Sequence, residues 1–419
     1  MSNVCRVLYV TGPVYNDIAR SWAVIANGLG GSSKYPLSNI CDGDTTNPGM
    51  FSDASANPVI PIDKNLIANG DMTLNDGSGN LTWWDVSGTV AYNATDGPTG
   101  GPAAVFTGGG SLLSDAGDGT IHFRPGETCD IEAQLYGDGT NPMLVTVQNA
   151  LDLTYLNSSG VWQTAAANVF SQTAATWASF TLQFSLPSYV AEAWPILGYL
   201  PLIITVHTVG DGRATNVFCW PYTNLASFHF YDQQPQLSVL LQRGGTGYTP
   251  SYSTYATLAP VRPAFFWVTP SGLLNDRWLQ IKLAGTPSIA PWFGEIVLSQ
   301  YREAVTAFNF GGTVTRLLDQ VRSMPAFGAQ RARAVAELER RTWKAKFSDL
   351  SQAGLDDHIE NLMRQSGYGQ YPVVWIPQDD APIVLHAQLP ESTEPTWIAW
   401  NRYDRELVLV EDPGPTLVA

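Results

Sequence analysis

Between residues 65 and 235 apolar and polar side chains alternate in short runs. That is the period of strands with one buried and one wet face. Cys129-Asp130-Ile131-Glu132-Ala133-Gln134-Leu135-Tyr136, Leu144-Val145-Thr146-Val147-Gln148, Phe180-Thr181-Leu182-Gln183-Phe184 and Leu202-Ile203-Ile204-Thr205-Val206 carry the pattern, with Ala104-Val105-Phe106. Asp138-Gly139, Ser159-Gly160 and Gly210-Asp211-Gly212 break it at short intervals, as an antiparallel sandwich or jelly roll requires. Phe228-His229-Phe230-Tyr231-Asp232 is the expected closing strand. Residues 236–262, rich in Gln, Gly, Tyr and Ser, predict a connecting loop, and strands resume at Phe265-Phe266-Trp267, Arg277–Leu283 and Gly294–Leu298.

The ends of the chain differ. Residues 1–64 hold two apolar stretches, Val7–Val10 and Trp22–Ile25, then a turn-rich segment. Gly28–Ser33 is a flexible loop, without the Lys-Ser/Thr of a phosphate loop. Asp42, Asp44 and Asn47 suit Asx-turns better than calcium ligation. After residue 300, Arg331–Phe347 alternates and predicts a strand ending at Phe347. Ser351 is placed to cap one helix, with Leu355, Ile359, Leu362 and Met363 as its apolar stripe. Asp356, Asp357 and Glu360 near its start and Arg364 near its end suit the helix dipole, and Gly367 stops it. Tyr371–Pro377 reads as a strand, and Trp397–Trp400 with Glu406–Val410 as a hairpin across Asn401–Arg405. This C-terminal part is therefore expected to be α+β.

With 419 residues there is room for about two to four domains. Few charged residues and many Gly, Pro and aromatic residues favour β-sandwiches. A net charge of −15 argues against a nucleic-acid surface, which needs clustered Lys and Arg. No apolar run reaches the roughly 18 residues of a membrane span, so no membrane insertion is expected, and no export signal is visible. Between 65 and 235 the only basic side chains are Arg124 and Arg213, whereas Arg is common after 300. That shift predicts separate domains. Cys5, Cys41, Cys129 and Cys219 have no zinc spacing; each reads as a small buried residue, although Cys129 and Cys219 could pair.

Several segments carry resemblances. Tyr35-Pro36-Leu37-Ser38-Asn39-Ile40-Cys41-Asp42-Gly43-Asp44 resembles the opening of a discoidin-like domain in virion proteins of tailed bacteriophages. Arg277–Leu283 and Gly294–Leu298 resemble its close, and the order of elements after 300 is similar to the ring-forming distal tail proteins of phage tail tips and baseplates. Asn65-Leu66-Ile67-Ala68-Asn69-Gly70-Asp71-Met72, followed by Trp83-Trp84-Asp85, resembles the opening of a carbohydrate-binding jelly roll. The expected fold is thus mainly β: a discoidin-like β-sandwich (1–64 and 236–300) interrupted by an inserted jelly-roll β-sandwich (65–235), plus a C-terminal α+β domain (301–419) with one clear helix.

The resemblance implies a structural, non-enzymatic part of a phage tail tip or baseplate, made in the host cytoplasm and carried in the virion. Its implied partners are its own copies in a homo-oligomeric ring, other tail proteins (tail tube, hub, fibres) and host surface glycan. The alternative is a virion-associated or secreted glycan hydrolase with a binding module. No cofactor is required, but a structural calcium held by Asp71 and Asp232 is implied as an option.

Sugar-stacking candidates are Trp83, Trp84, Tyr92 and Tyr136, with Trp162 and Trp177 behind them. Adjacent Trp83 and Trp84 would point to opposite faces of a strand, so at least one leaves the core. The five histidines form no triad or zinc motif. Glu127, Asp130 and Glu132 could meet as the paired carboxylates of a glycosidase, but their spacing equally suits a solvated acidic face. If the insert is autonomous, deleting 65–235 should leave a folded remainder.

Overall fold

The computed structural model describes residues 6–8, 49–50, 59–114, 121–124, 126–187, 200–230, 238–261, 264–268, 273–284, 292–300, 302–303, 313–317, 320–323, 331–334, 340–351, 373–376, 385–388 and 396–411. The fold is mainly β: apart from one short 3-10 turn at Pro98–Gly100, every regular element among the described residues is a strand, and all pairings are antiparallel.

One sheet holds the strands between Trp84 and Pro221. Its main path runs Trp162–Gln163, Tyr155–Leu156, Met143–Asn149, Leu200–Thr208, Ala103–Ser114, Gly212–Pro221, Thr128–Tyr136, Trp177–Ser185. It is curled into two layers, and the long strand Ala103–Ser114 belongs to both. Its first residues, Ala104–Phe106, pair with Gly212–Ala214, while Gly110–Leu113 pair with Thr205–Thr208. The bend falls at Gly108 and Gly109, whose positive φ angles (68° and 101°) disfavour any side chain. Trp84–Asn93 follows the bend with a bulge between Gly88 and Val90, and a Cβ on Gly88 would come within 2.7 Å of Gly110 Cα. Between the layers lie Phe106, Leu112, Ile131, Ala133, Leu135, Val145, Val147, Leu202, Ile204, Val206 and Val217, all buried. Cys129 and Cys219 are thiols within this core.

A second sheet runs Gly49–Met50, Trp292–Ser299, Leu225–Phe230, Ala264–Val268, Ser253–Val261, Ser238–Gly245, Trp278–Ala284, Val59–Asp63. Ser253–Val261 is again a corner strand, paired with Ser238–Gly245 along its first part and with Ala264–Val268 at its end. The chain leaves this sheet after Asp63 and returns to it at Leu225. Those strands are five places apart in the order, yet Lys64 Nζ donates to Thr223 Oγ1 (2.9 Å) and to Pro221 O (2.7 Å). The sheet must therefore curl until the two crossings lie side by side.

A third sheet is ordered Arg302–Glu303, Arg6–Leu8, Val373–Ile376, Leu385–Gln388, Arg402–Glu411, Arg340–Ser351, Thr313–Leu317, with Thr396–Ala399 also on Arg402–Glu411. Gln320–Ser323 and Arg331–Ala334 make a separate hairpin.

Several expectations are corrected. The Leu225–Phe230 strand does not close the insert: it pairs with Ala264–Val268 and Trp292–Ser299 in the second sheet, and Gly212–Pro221 is the insert's last strand. Residues 236–262 are not merely a loop, because Val239, Leu241 and Leu258 are buried on two paired strands whose outward positions carry the polar residues. Arg6–Leu8, expected with the rest of 1–64 in the interrupted sandwich, pairs in the third sheet. Arg340–Ser351 runs past Phe347 through a bulge at Phe347–Leu350. The C-terminal hairpin turns at Trp400 and Asn401 (φ 56°), so Arg402–Arg405 are strand, not turn. The Tyr35–Asp44 opening, Gly28–Ser33, Asn47, Asp232 and the helix from Leu355 to Gly367 lie outside the described residues.

Candidate functional site

Alternation on Thr128–Tyr136 sends Cys129, Ile131, Ala133 and Leu135 into the core. Asp130, Glu132, Gln134 and Tyr136 therefore stand on the opposite, outer face. Pairing extends each into a row. Tyr136 lies between Trp177 and Arg213, Gln134 between Ser179 and Thr215, Glu132 between Thr181 and Phe218, and Asp130 between Gln183 and Trp220. One strand pattern thus fixes four parallel rows of outward side chains.

The second sheet covers the Glu132 and Asp130 end of this face. Trp220 is wholly buried and its indole N–H donates to Asn275 O (2.8 Å). Arg277 holds Asp63 in a two-pronged ion pair (2.7 and 2.5 Å), both side chains nearly buried, and its guanidinium sits 3.6 Å from the Phe218 ring centroid. Tyr222 O–H donates to buried Asp130 (2.9 Å). Burial pushes the Asp130 carboxyl above the usual range, partly offset by that hydrogen bond and by Lys64. Arg124 is tied to Glu127 (2.7 Å) and donates to Ser299 Oγ, and Thr128 N donates to Gln300 Oε1 (2.9 Å). Of the three carboxylates considered for hydrolysis, Glu127 and Asp130 are therefore committed to this seam.

The Tyr136 end is open. The Tyr136 and Trp177 rings lie 5.7 Å apart between centroids, inclined at 58°. Arg213 stacks over Tyr136 (4.8 Å) and pairs with Asp96 (3.3 Å), both ends about one-third exposed. Gln134 links the next row, donating to Ser179 Oγ (3.0 Å) and accepting from Asn216 Nδ2 (2.8 Å). Trp177–Ser185 is the last strand of its path, and Ser179, Thr181, Gln183 and Ser185 are exposed along it. Two inclined rings, fixed amides, hydroxyls and a charge pair suit a ligand with C–H faces and many hydroxyls. No shift in a titrating group is needed for such binding.

The predicted residues scatter. Tyr136 and Trp177 come together, but Trp84 does not serve a ligand: it is 5% exposed in the core, its indole N–H on Asn69 O (3.2 Å). Tyr92 and Trp162 also pack against the core, Trp162 donating to Ser185 O. Trp83 is 50% exposed with φ 69° in the loop that buried Asn69 ties together through Leu74 and Thr82. It precedes Trp84, whose strand meets the Tyr136 row only at its other end, near Ala91. Asp71 Oδ1 is taken by Thr73, from its N–H and hydroxyl (3.3 and 2.9 Å). Among the described residues no group of three or more His, Cys, Asp or Glu is placed to hold a metal, and Asp232, the other carboxylate of the implied calcium site, lies outside them.

Reading the sequence missed Gln134, Ser179, Asn216 and the role of Arg213. Alternation alone groups Gln134 with Tyr136; Ser179 and Asn216 need the strand pairing, which no local pattern carries. Arg213 left one signal, as one of two basic residues in an acidic stretch.

No protein-family profile and no curated protein matches the sequence. Among solved structures, the chain is similar to the enzymatically active domain of bacteriophage CBA120 tailspike protein 4, at 16% identity and TM-score 0.26, over 38% of this chain and 21% of that one. It is also similar to a CBM4 structure (19% identity, TM-score 0.23, 37% of this chain and 99% of that one). A third likeness is to the CBM22-1 xylan-binding domain from Paenibacillus barcinonensis (15%, 0.23, 40% and 96%).

Proposed function

We propose that the sandwich between residues 65 and 222 is a carbohydrate-binding module, and that the whole protein is a structural part of a phage tail tip or baseplate. It assembles with its own copies into a ring beside other tail proteins and turns the module toward host surface glycan. The observation that carries the binding reading is the open end of one sheet face. There Tyr136 and Trp177 stand together among Arg213, Asp96, Gln134, Asn216 and Ser179, while Phe218, Trp220 and Asp130 of the same face are buried. Aromatic faces take sugar C–H groups and the polar set takes hydroxyls. A ring of copies multiplies weak single contacts into firm attachment.

The test is a glycan array probed with the full chain and with Trp177→Ala. Binding by the parent that the variant loses supports the module; no binding by a folded parent removes it. The protein is proposed to act without turnover. Sustained release of reducing sugar, abolished by one carboxylate substitution, would replace the structural role with a hydrolase. Electron micrographs of the purified protein test the ring.

A further inference from the structure

The open face is not closed by its own domain. The loop between Ser238–Gly245 and Ser253–Val261, from the second sheet, carries Tyr248 across to the insert, where its hydroxyl donates to Glu132 Oε1 (2.7 Å). Its ring stands 6.2 Å from Phe218, tilted by 48°, and the side chain stays 44% exposed. The loop is held in place: Gly245 N donates to Asp276 Oδ1 (2.8 Å), Trp278 Nε1 to Gly247 O (2.7 Å) and Ser251 N to Gly244 O (3.1 Å). Glu132 Oε2 takes no hydrogen bond among the described residues. Glu132 and Tyr136 are four positions apart, about 13 Å at strand rise, with the Gln134–Ser179 row between them. That is a short walk for one extended ligand.

Resting on the module reading above, we propose that the glycan site is composite. Tyr248 of the second sheet is its third aromatic contact, and with Glu132 it forms a second hydroxyl-binding station beyond Gln134. The Tyr248 hydroxyl proton is spent on Glu132 and its oxygen is within hydrogen-bond reach of Ser179, so what the station offers a sugar is the Tyr248 ring face and Glu132 Oε2. A rigid, part-exposed tyrosine loses little freedom on binding, which is why such residues anchor ligands well.

The experiment compares full-length parent, Trp177→Ala, Tyr248→Ala and Tyr248→Phe on arrayed linear oligosaccharides of graded length, each checked for folding by thermal melting. The composite site predicts that Tyr248→Ala weakens binding by about tenfold, on the scale where tenfold is 1.4 kcal/mol. The loss should be greatest on chains long enough to span both stations, and Tyr248→Phe should retain part of the affinity. Loss in Trp177→Ala with Tyr248→Ala unchanged on every chain length overturns the composite site and leaves the module standing. Absence of binding by the folded parent overturns both. If Tyr248→Ala does not fold, Tyr248→Phe and Glu132→Gln decide, since an uninvolved station leaves both at parental affinity.

Discussion

At one end of the outer face, Phe218, Trp220 and Tyr222 are buried beneath the second sheet; at the other, Tyr136 and Trp177 stand part-exposed. The strands are largely the same ones, and the alternation that sends an aromatic outward is the same. What differs is the opposing surface. At the covered end Arg277, Asn275 and Lys64 meet the aromatics and the backbone, so each ring becomes part of a joint. At the open end the polar groups bond one another laterally, along the face rather than across it. An outward aromatic is thus a fastener or an open surface according to its neighbour across the gap, not its own strand.

Deletion tests the joint between the two sheets most severely. Removing 65–235 also removes Leu225–Phe230, which is flanked on both sides in the second sheet, so the remainder is expected to lose cooperative melting. Removing 65–222 spares that strand and joins crossings already in contact, so a cooperative transition should survive. Circular dichroism melts of the two deletions check this. Next in size is Arg277→Ala, which leaves Asp63 buried without its partner; a loss of about 3–5 kcal/mol in urea unfolding is expected. Trp177→Ala should move stability by less than about 1 kcal/mol, as for a surface position, while abolishing glycan binding.

The smallest effect is a pH slope. Glu132 is held above the usual glutamate range chiefly by burial, with Tyr248 and Arg277 opposing and Asp130 adding to the rise. A raised value means the folded state binds the proton more tightly than the unfolded chain. The associated stability is complete below the ordinary glutamate value and is lost as pH rises through the folded one. Glu132→Gln should therefore flatten that part of the stability–pH curve, read by urea unfolding at a series of pH values. An unchanged slope would place Glu132 in a more solvated setting than the joint provides.

The strands of the insert were legible wherever alternation was strict, as in Thr128–Tyr136 and Met143–Asn149. The boundary was not, because Leu225–Phe230 has the same β-rich composition in either domain and only its pairing assigns it. The two strands around Tyr248 were hidden by Gln, Ser and Gly at outward and turn positions, and by a bulge at Tyr255, opposite Leu241–Gln242, that shifts the period of the second strand. Trp83 and Trp84 were legible as a split pair, one in and one out. That the exposed one stands apart from Tyr136 follows from how the hairpin bends at its glycines, which is a tertiary fact.

The side-by-side crossings at Lys64 and Thr223 also set how the protein bears load. A pull on the inserted sandwich is split between two strands of unequal hold. Leu225–Phe230 is laced to a neighbour on each side, whereas Val59–Asp63 lies at the sheet margin with a single neighbour among the described residues. Tension would peel the marginal strand first, starting from its last residue. That residue is Asp63, gripped by Arg277, and the ion pair is thus the rivet at the point where tearing would begin.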